Sequence, residues 1–439
     1  MLHPIRRLWL CLVAACWAPA LLAGLDDATD SLASVWTWSV DNQPLYLAGQ
    51  LLVEAEEDEL TALRRSALPE LQVEAGGDYG QRVSPGEERA RGVTSRGEIV
   101  ARVNWTLVES GRASSQRALE LARAEAISQQ QARDLSFRAE VARMYVSAAA
   151  NAERAAMLQS ADQDFDALTE ALRRRSAEGV APTDELIRAE QAASRRAVAQ
   201  RETDDADRSS RIKLALLADQ ADVRPKWLEV RAPDVRDAHP NADHSAEPAS
   251  PLLTSLEQAA ERQRADAEHL RRADQWRLDL TGQTGPYFSG ALDDGRKTEY
   301  FAGLRLTWTP DLAGVNRSRS SAQLRRAESL EAERASLAQE FEREARQLQE
   351  QLRQLEARRQ AQARLLERTA DRERTESLRW REGVGDWSSL YSAREDLLNA
   401  RLEELDWRLE TALQLIDYAE TTNRLDELPV WLGQQETTP

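Results

Sequence analysis

Apolar residues recur along this chain with two periods, and the periods follow one another in the same order twice. Across about 114–178 and about 317–381 they fall every third or fourth position with no interrupting proline, which predicts two long helices. A helix of about 65 residues would extend roughly 100 Å. Each breaks at Glu-Gly-Val (Glu178–Val180 and Glu382–Val384), and a second helix then returns, over about 183–217 and to about 425. Shorter helical stretches, about 30–66 and 252–273, precede paired segments of period two. In the first pair Leu71, Val73 and Ala75 alternate with Gln72 and Glu74. Ile99, Ala101, Val103, Trp105 and Leu107 then alternate with Val100, Arg102, Asn104 and Thr106. In the second pair Trp276, Leu278 and Leu280 alternate with Arg277 and Asp279, and Ala302, Leu304, Leu306 and Trp308 follow. The Gly-containing stretches 76–97 and 281–298 read as loops between strands.

A helix–strand–strand–helix–helix unit is therefore expected twice. The first copy covers 24–218, with strands at about 70–76 and 98–108 and a helical hairpin at about 114–217. The second covers 252–428, with strands at about 275–281 and 299–309 and a hairpin at about 317–425. A Pro- and Asp-rich segment, 219–251, separates them as a linker or small surface domain, and 429–439 is a tail. The duplication is also literal. Ala189 and Ala393 lie at the same offset from their Glu-Gly-Val triplets, and Val-Asn-Trp-Thr at 103–106 is answered by Leu-Thr-Trp-Thr at 306–309. Ala338, Phe341, Ala345, Leu348, Leu352 and Leu355 form a heptad seam, which implies supercoiling against neighbouring helices. One narrow apolar stripe per helix suits a hollow or two-layer assembly better than a solid globule.

Charge and composition narrow the function. Of 439 residues 30% are charged and only 5% aromatic, and the net charge of −17 argues against nucleic acid as a partner. The first 23 residues join Arg6 and Arg7 to an apolar run and a small residue, the pattern of a secretory signal peptide; the alternative is an uncleaved anchor. Cleavage after Ala23 would remove both cysteines, Cys11 and Cys16, leaving neither disulfide nor thiol for a lipid. No later run is apolar and long enough for a transmembrane helix. His239 and His244 sit in the central segment without converging ligands, so no metal site is expected. No nucleophile–base pair or phosphate loop occurs, and neither enzymatic activity nor a cofactor is expected.

Half-apolar strands suit either a soluble hairpin packed on helices or a membrane barrel. Four strands cannot close a barrel in lipid, where each unpaired edge group costs several kcal/mol and the smallest barrels have about eight strands. If these strands lie in a membrane, the barrel must be shared between chains. Trp105, Trp276, Tyr300 and Trp308 are placed for an interfacial girdle.

The ordered repetition, the two Gly tips with their alanines, and Leu68-Pro69-Glu70-Leu71 before the first strand resemble the TolC family of outer-membrane efflux and secretion channels. The resemblance covers nearly the whole mature chain. It implies a mainly α fold with a membrane β-barrel: a homotrimer whose shared 12-stranded barrel sits in the outer membrane of a Gram-negative bacterium. A periplasmic α-helical barrel of hairpins would meet a periplasmic adaptor and an inner-membrane pump. The chain would be the passive exit duct of a tripartite efflux or type I secretion system. Alternatives are a periplasmic coiled-coil adaptor and a non-conducting envelope-spanning scaffold; adaptors usually have one hairpin and lack paired membrane strands. By the same resemblance Gly179, Val180, Gly383 and Val384 would be adaptor-docking tips, although reversing a helix needs these glycines anyway. Glu185, Arg188, Ser389 and Ser392 would line the periplasmic aperture. Thr183 and Asp386 are expected to cap the return helices, with Asp184 and Glu185 favourable in the first turn. The family's best-known members carry acids where this chain has Ser389 and Ser392, and often Tyr where it has Trp380. The charged loop 81–96 would face the exterior.

Overall fold

The computed structural model describes residues 30–42, 44–81, 93–220, 222–225, 250–272, 276–289 and 297–433. The expected signal peptide, Cys11, Cys16, His239, His244, positions 82–92 of the charged loop, most of 219–251 and the last six residues lie outside them.

The elements follow as α1 Leu32–Asn42, α2 Pro44–Arg65, β1 Glu70–Gln81, β2 Val93–Glu109, α3 Arg112–Ala177 and α4 Thr183–Ala218. Then come α5 Pro251–Arg272, β3 Arg277–Ser289, β4 Lys297–Thr307, α6 Val315–Arg381, α7 Trp387–Thr421, a 3-10 turn Leu425–Glu427 and α8 Leu428–Trp431. The single helix expected over 30–66 is two, with Pro44 at the start of the second, where its fixed φ and missing N–H are harmless. α6 starts two residues before the expected Arg317. The Asp311 carboxylate accepts from the Val315, Asn316 and Arg317 amides at 2.8, 2.9 and 3.2 Å.

The chain divides into two compact units. The first gathers α1, α4, α7, α8, and α3 and α6 from 135 and 344 onward. Its core joins Leu32 and Val35 of α1, Val141 and Tyr145 of α3, Leu214 of α4, and Leu415 and Ile416 of α7. Polar contacts fix the register. Trp36 Nε1 donates to the Arg138 oxygen at 2.9 Å, Tyr145 Oη to the Asp30 oxygen at 2.7 Å, and Gln349 Nε2 to Tyr418 Oη at 3.1 Å. The start of the central segment is tied in as well, since Arg224 N donates to Asp30 Oδ2 at 3.0 Å. Along the predicted seam Leu348, Leu352 and Leu355 are buried, whereas Ala338, Phe341 and Ala345 are half-buried.

The second unit holds α2, the four strands, α5, and α3 and α6 up to 134 and 343. Buried alanines (Ala118, Ala122 and Ala126 of α3, Ala260 of α5, Ala327 of α6) leave room for close helix packing. Ser128 Oγ donates to Gln258 Oε1 at 2.9 Å and Ser320 Oγ to the Ala267 oxygen at 2.9 Å. No described helix is long and apolar enough to cross a membrane.

The strands form one antiparallel sheet in the order β1-β2-β3-β4. They reach further than alternation alone indicates: β3 continues to Ser289 and β4 begins at Lys297, inside the stretch expected as a loop. Gly282 and Gly285, which read as loop glycines, are strand residues. A Cβ on Gly285 would stand 2.1 Å from the Ile99 main-chain oxygen, so glycine is required there by backbone approach. A bulge between Thr106 and Val108 changes the phase of β2. Val108, opposite Leu278, thereby takes the apolar place expected for Leu107.

Candidate functional site

Two regions stand out: the sheet, one face of which is widely exposed, and the paired hairpin tips. Register places Val73, Ala101, Thr284 and Tyr300 in one row across the sheet, and Leu71, Val103, Gly282 and Ala302 in the next. Trp105, Leu280 and Leu304 follow, then Val108, Leu278 and Leu306. Paired residues share a face, so this side is an almost unbroken apolar surface. It is also open: Leu71, Val73, Leu304 and Leu306 are each at least 66% exposed. The opposite side carries Gln72, Arg102, Gln283, Asn104, Thr281, Thr106, Asp279 and Arg305 in the intervening rows. There Arg102 Nη1 bonds Glu74 at 2.6 Å, Thr106 Oγ1 donates to Asp279 Oδ1 at 2.9 Å, and Arg277 Nε bonds Asp279 at 2.7 Å. Phe301 departs from this polarity, and its ring stands where a Gly303 side chain would project.

The expected aromatics divide along the strands. Trp105 donates from Nε1 to the Ala67 oxygen at 2.8 Å; the Trp276 main-chain oxygen accepts from Ser110 N at 3.1 Å, and Trp276 N donates to Ser110 Oγ at 3.3 Å. Tyr300 on β4 and Trp308 just past its end, 86% and 67% exposed, lie eight residues apart, about 26 Å if the chain stays extended. The outer edges of β1 and β4 have no strand partner among the described residues.

The tips share one hydrogen-bond pattern. At the first, Gly179 N donates to the Ser176 oxygen, and Val180 N and Ala181 N to the Arg175 oxygen, at 3.1, 2.9 and 3.2 Å. At the second, Gly383 N donates to Trp380, and Val384 N and Gly385 N to Arg379, at 3.2, 3.0 and 2.9 Å. This is a Schellman ending, and its left-handed residue is Gly179 (φ +73°) or Gly383 (φ +80°). Neither glycine has any atom within 4 Å of a built Cβ, so the need for glycine is conformational. Val180 and Val384 are left 73% and 77% exposed.

The two tips are packed on one another. Leu168, Leu172, Ala189, Trp387 and Leu390 form a buried cluster with Trp380 and Tyr391 at its margin. Ala189 and Ala393, the repeated alanines, are fully buried. Polar groups that the sequence does not reveal add to the clasp. The Arg196 guanidinium stands 4.3 Å over Phe165, bonds Tyr391 Oη at 3.0 Å and pairs with Asp162 at 3.2 Å. Arg175 lies 3.8 Å over the Trp380 ring. Arg196 is one of many arginines in a charged stretch, and only the helix pairing distinguishes it.

The helix starts differ. α7 is capped as expected: Asp386 Oδ1 accepts from Ser389 N at 2.6 Å, and its other oxygen from Ser389 Oγ at 3.1 Å. α4 is not capped by Thr183. Its N-cap is Pro182, which has no side-chain acceptor, and Thr183 already lies inside the helix. Ser389, expected at an aperture, thus spends its hydroxyl on its own helix end. Ser392 is half-buried, Glu185 half-buried and Arg188 exposed. No hydrogen bond or ion pair joins Glu185 or Arg188 to either serine among the described residues.

The Ser389 amide holds the Asp386 carboxyl below the usual carboxylate range, against a smaller opposing effect of burial; the Ser388 and Ser389 hydroxyls add to the lowering. A lowered folded-state value means stability present above the unfolded pKa of about 3.9 and lost as pH falls through the folded value. Asp386→Ala should therefore cost about 1 kcal/mol at neutral pH. The gap between variant and parent should narrow below about pH 4. Amide exchange at Ser388–Leu390 would measure it; equal exchange at pH 7 would show that the cap contributes nothing.

No family model matches the sequence, and neither does any curated protein sequence. Solved structures do match. The CmeC outer-membrane channel of Campylobacter jejuni superposes with a TM-score of 0.74 at 14% identity, covering 94% of this chain and 92% of that one. The open MtrE outer-membrane channel of Neisseria gonorrhoeae gives 0.70 at 17%, covering 93% and 90%. The outer-membrane protein VceC of Vibrio cholerae gives 0.71 at 13%, covering 89% and 95%. The chain therefore has the TolC-like fold, as its resemblance implies.

Proposed function

We propose that this chain, built on the TolC-like fold, is the subunit of a homotrimeric outer-membrane channel. It would serve as the passive exit duct of a tripartite efflux or type I secretion system in a Gram-negative bacterium. The observation that carries this reading is the sheet, whose one face is apolar and open, whose other face carries paired polar groups, and whose two outer edges have no strand partner among the described residues. In water that apolar face would be an aggregation surface. In lipid it is the required exterior, provided the edges meet copies of themselves. Three chains would give a shared 12-stranded barrel, within the range of outer-membrane barrels. The span from Tyr300 to Trp308, about 26 Å, matches an apolar band of about 25 Å before allowance for strand tilt.

In this reading the hairpins continue the duct through the periplasm. Val180 and Val384 at the tips meet a periplasmic adaptor, and an inner-membrane pump supplies the energy. Glu185, Arg188, Ser389 and Ser392 stand on the helix turns nearest the tips, where an aperture would form. The chain performs no chemistry of its own and needs no cofactor.

The purified mature protein should run as a heat-modifiable trimer extracted only by detergent, and should conduct ions in a planar bilayer. A detergent-free monomer would overturn the barrel. A trimer that never conducts would point to a scaffold instead.

A further inference from the structure

A cavity of about 360 Å3 lies between α3 and the α6–α7 hairpin, within the first unit. That volume is in the range of small-ligand sites. Its α3 wall is a single helical stripe with Glu153 at one end and Asp164 at the other. Eleven residues of helix separate the two, about 16 Å. Met157 from α3, with Leu397 and Leu398 from α7, supplies apolar surface between them, and Phe165 borders the Asp164 end.

The charges lining the cavity are unequally committed. Glu373 is neutralised by Arg394, whose Nε lies 3.3 Å from it. Arg394 Nη1 also donates to the Asp164 main-chain oxygen at 2.8 Å, which leaves the Asp164 carboxylate untouched. Neither Glu153 nor Asp164 has a side-chain partner among the described residues. Arg401, exposed on α7, is a lining cation with no ion pair among the described residues. Two free carboxylates against one free guanidinium leave the groove net negative, with its negative charge at the two ends.

We propose that this cavity binds an elongated organic dication, with cationic heads about 16 Å apart on Glu153 and Asp164 and an apolar linker on the floor between. An anion would meet two carboxylates. A monocation would use only one end. The site stands apart from the channel reading, because it rests on one unit of one chain and its test reads binding rather than transport.

The probe is decamethonium, two quaternary ammonium heads on a ten-carbon chain, titrated calorimetrically into the purified full-length assembly in detergent. Saturable binding is expected. Glu153→Gln and Asp164→Asn should each weaken it about two- to five-fold, the size of a partly exposed ion pair, and the double variant roughly tenfold. Arg401→Gln should tighten it. Butyltrimethylammonium, with one head, should bind no better than decamethonium binds the single carboxylate variants. No saturable binding, or carboxylate variants with unchanged Kd, would overturn the proposal. So would weakening by Arg401→Gln together with binding of decanoate, which would make this an anion site.

Discussion

Replacing Leu304 with arginine is expected to abolish assembly of the trimer in the outer membrane. Leu304 lies midway between Tyr300 and Trp308 on β4, 67% exposed, in a row with Leu280 and Trp105. On the proposed lipid face that position is the bilayer midplane, where an arginine costs about 2–4 kcal/mol. Three copies bring the total to about 6–12 kcal/mol, comparable with a whole folding free energy of about 5–15 kcal/mol. Thr281→Arg, in the neighbouring strand but on the polar face, should be tolerated. The measurement is heat-modifiable trimer in the outer-membrane fraction. The test is sharp because the rival reading predicts the opposite outcome. If the sheet were water-exposed, exchanging an open leucine for arginine would be neutral or would aid solubility, and a normal yield of Leu304→Arg trimer would remove the barrel.

The second large effect is expected at the tips. Gly179→Val combined with Gly383→Val should eliminate export while leaving the trimer assembled. Both glycines hold φ near +75°, where an L-residue costs roughly 1–2 kcal/mol and a β-branched one is a marked outlier. Open space around both positions means the new side chains would clash with nothing; the turn itself must rebuild. That displaces Val180 and Val384, the exposed residues proposed above to meet an adaptor. Assembly should survive because the sheet and the main buried cluster involve neither tip. Gly385 has a different constraint, since a Cβ there would stand 2.8 Å from Trp380 N. Export of a known cargo and the heat-modifiable trimer band are measured together. Undiminished export from an assembled double variant would remove the tips from the docking role.

Much of the fold was legible because it depends on periodicity. The long helices, their returns, and four strands with one apolar face follow from where Leu, Val, Ile and Ala recur. The tips followed from Glu-Gly-Val, because a helix that reverses needs a left-handed residue. Strand ends were not legible. Residues 281–289 are rich in glycine and include Pro286, which sequence reading assigns to a loop. In the sheet Gly285 is instead the residue that lets β3 pass close to Ile99. The bulge that moved Val108 into the place of Leu107 was equally hidden, since alternation continues through it unchanged. At the tips Asp386 was readable as a cap, whereas Thr183 looked equivalent and is not, because Pro182 takes the capping position.

By itself, the order of apolar and polar residues determined a duplicated unit, its hairpins, and an amphipathic sheet too small to close alone. These are local or periodic properties, written in spacing along one element. Tertiary structure alone decided which charges are committed and which are free. Arg196 clasps Phe165 and Tyr391, Arg394 neutralises Glu373, and Glu153 and Asp164 have no side-chain partner among the described residues. The reason is physical: an ion pair or a stacked cation depends on which residue of a neighbouring helix lies within about 4 Å. In a chain with 58 basic and 75 acidic residues, the sequence offers many such partners and no means of choosing among them.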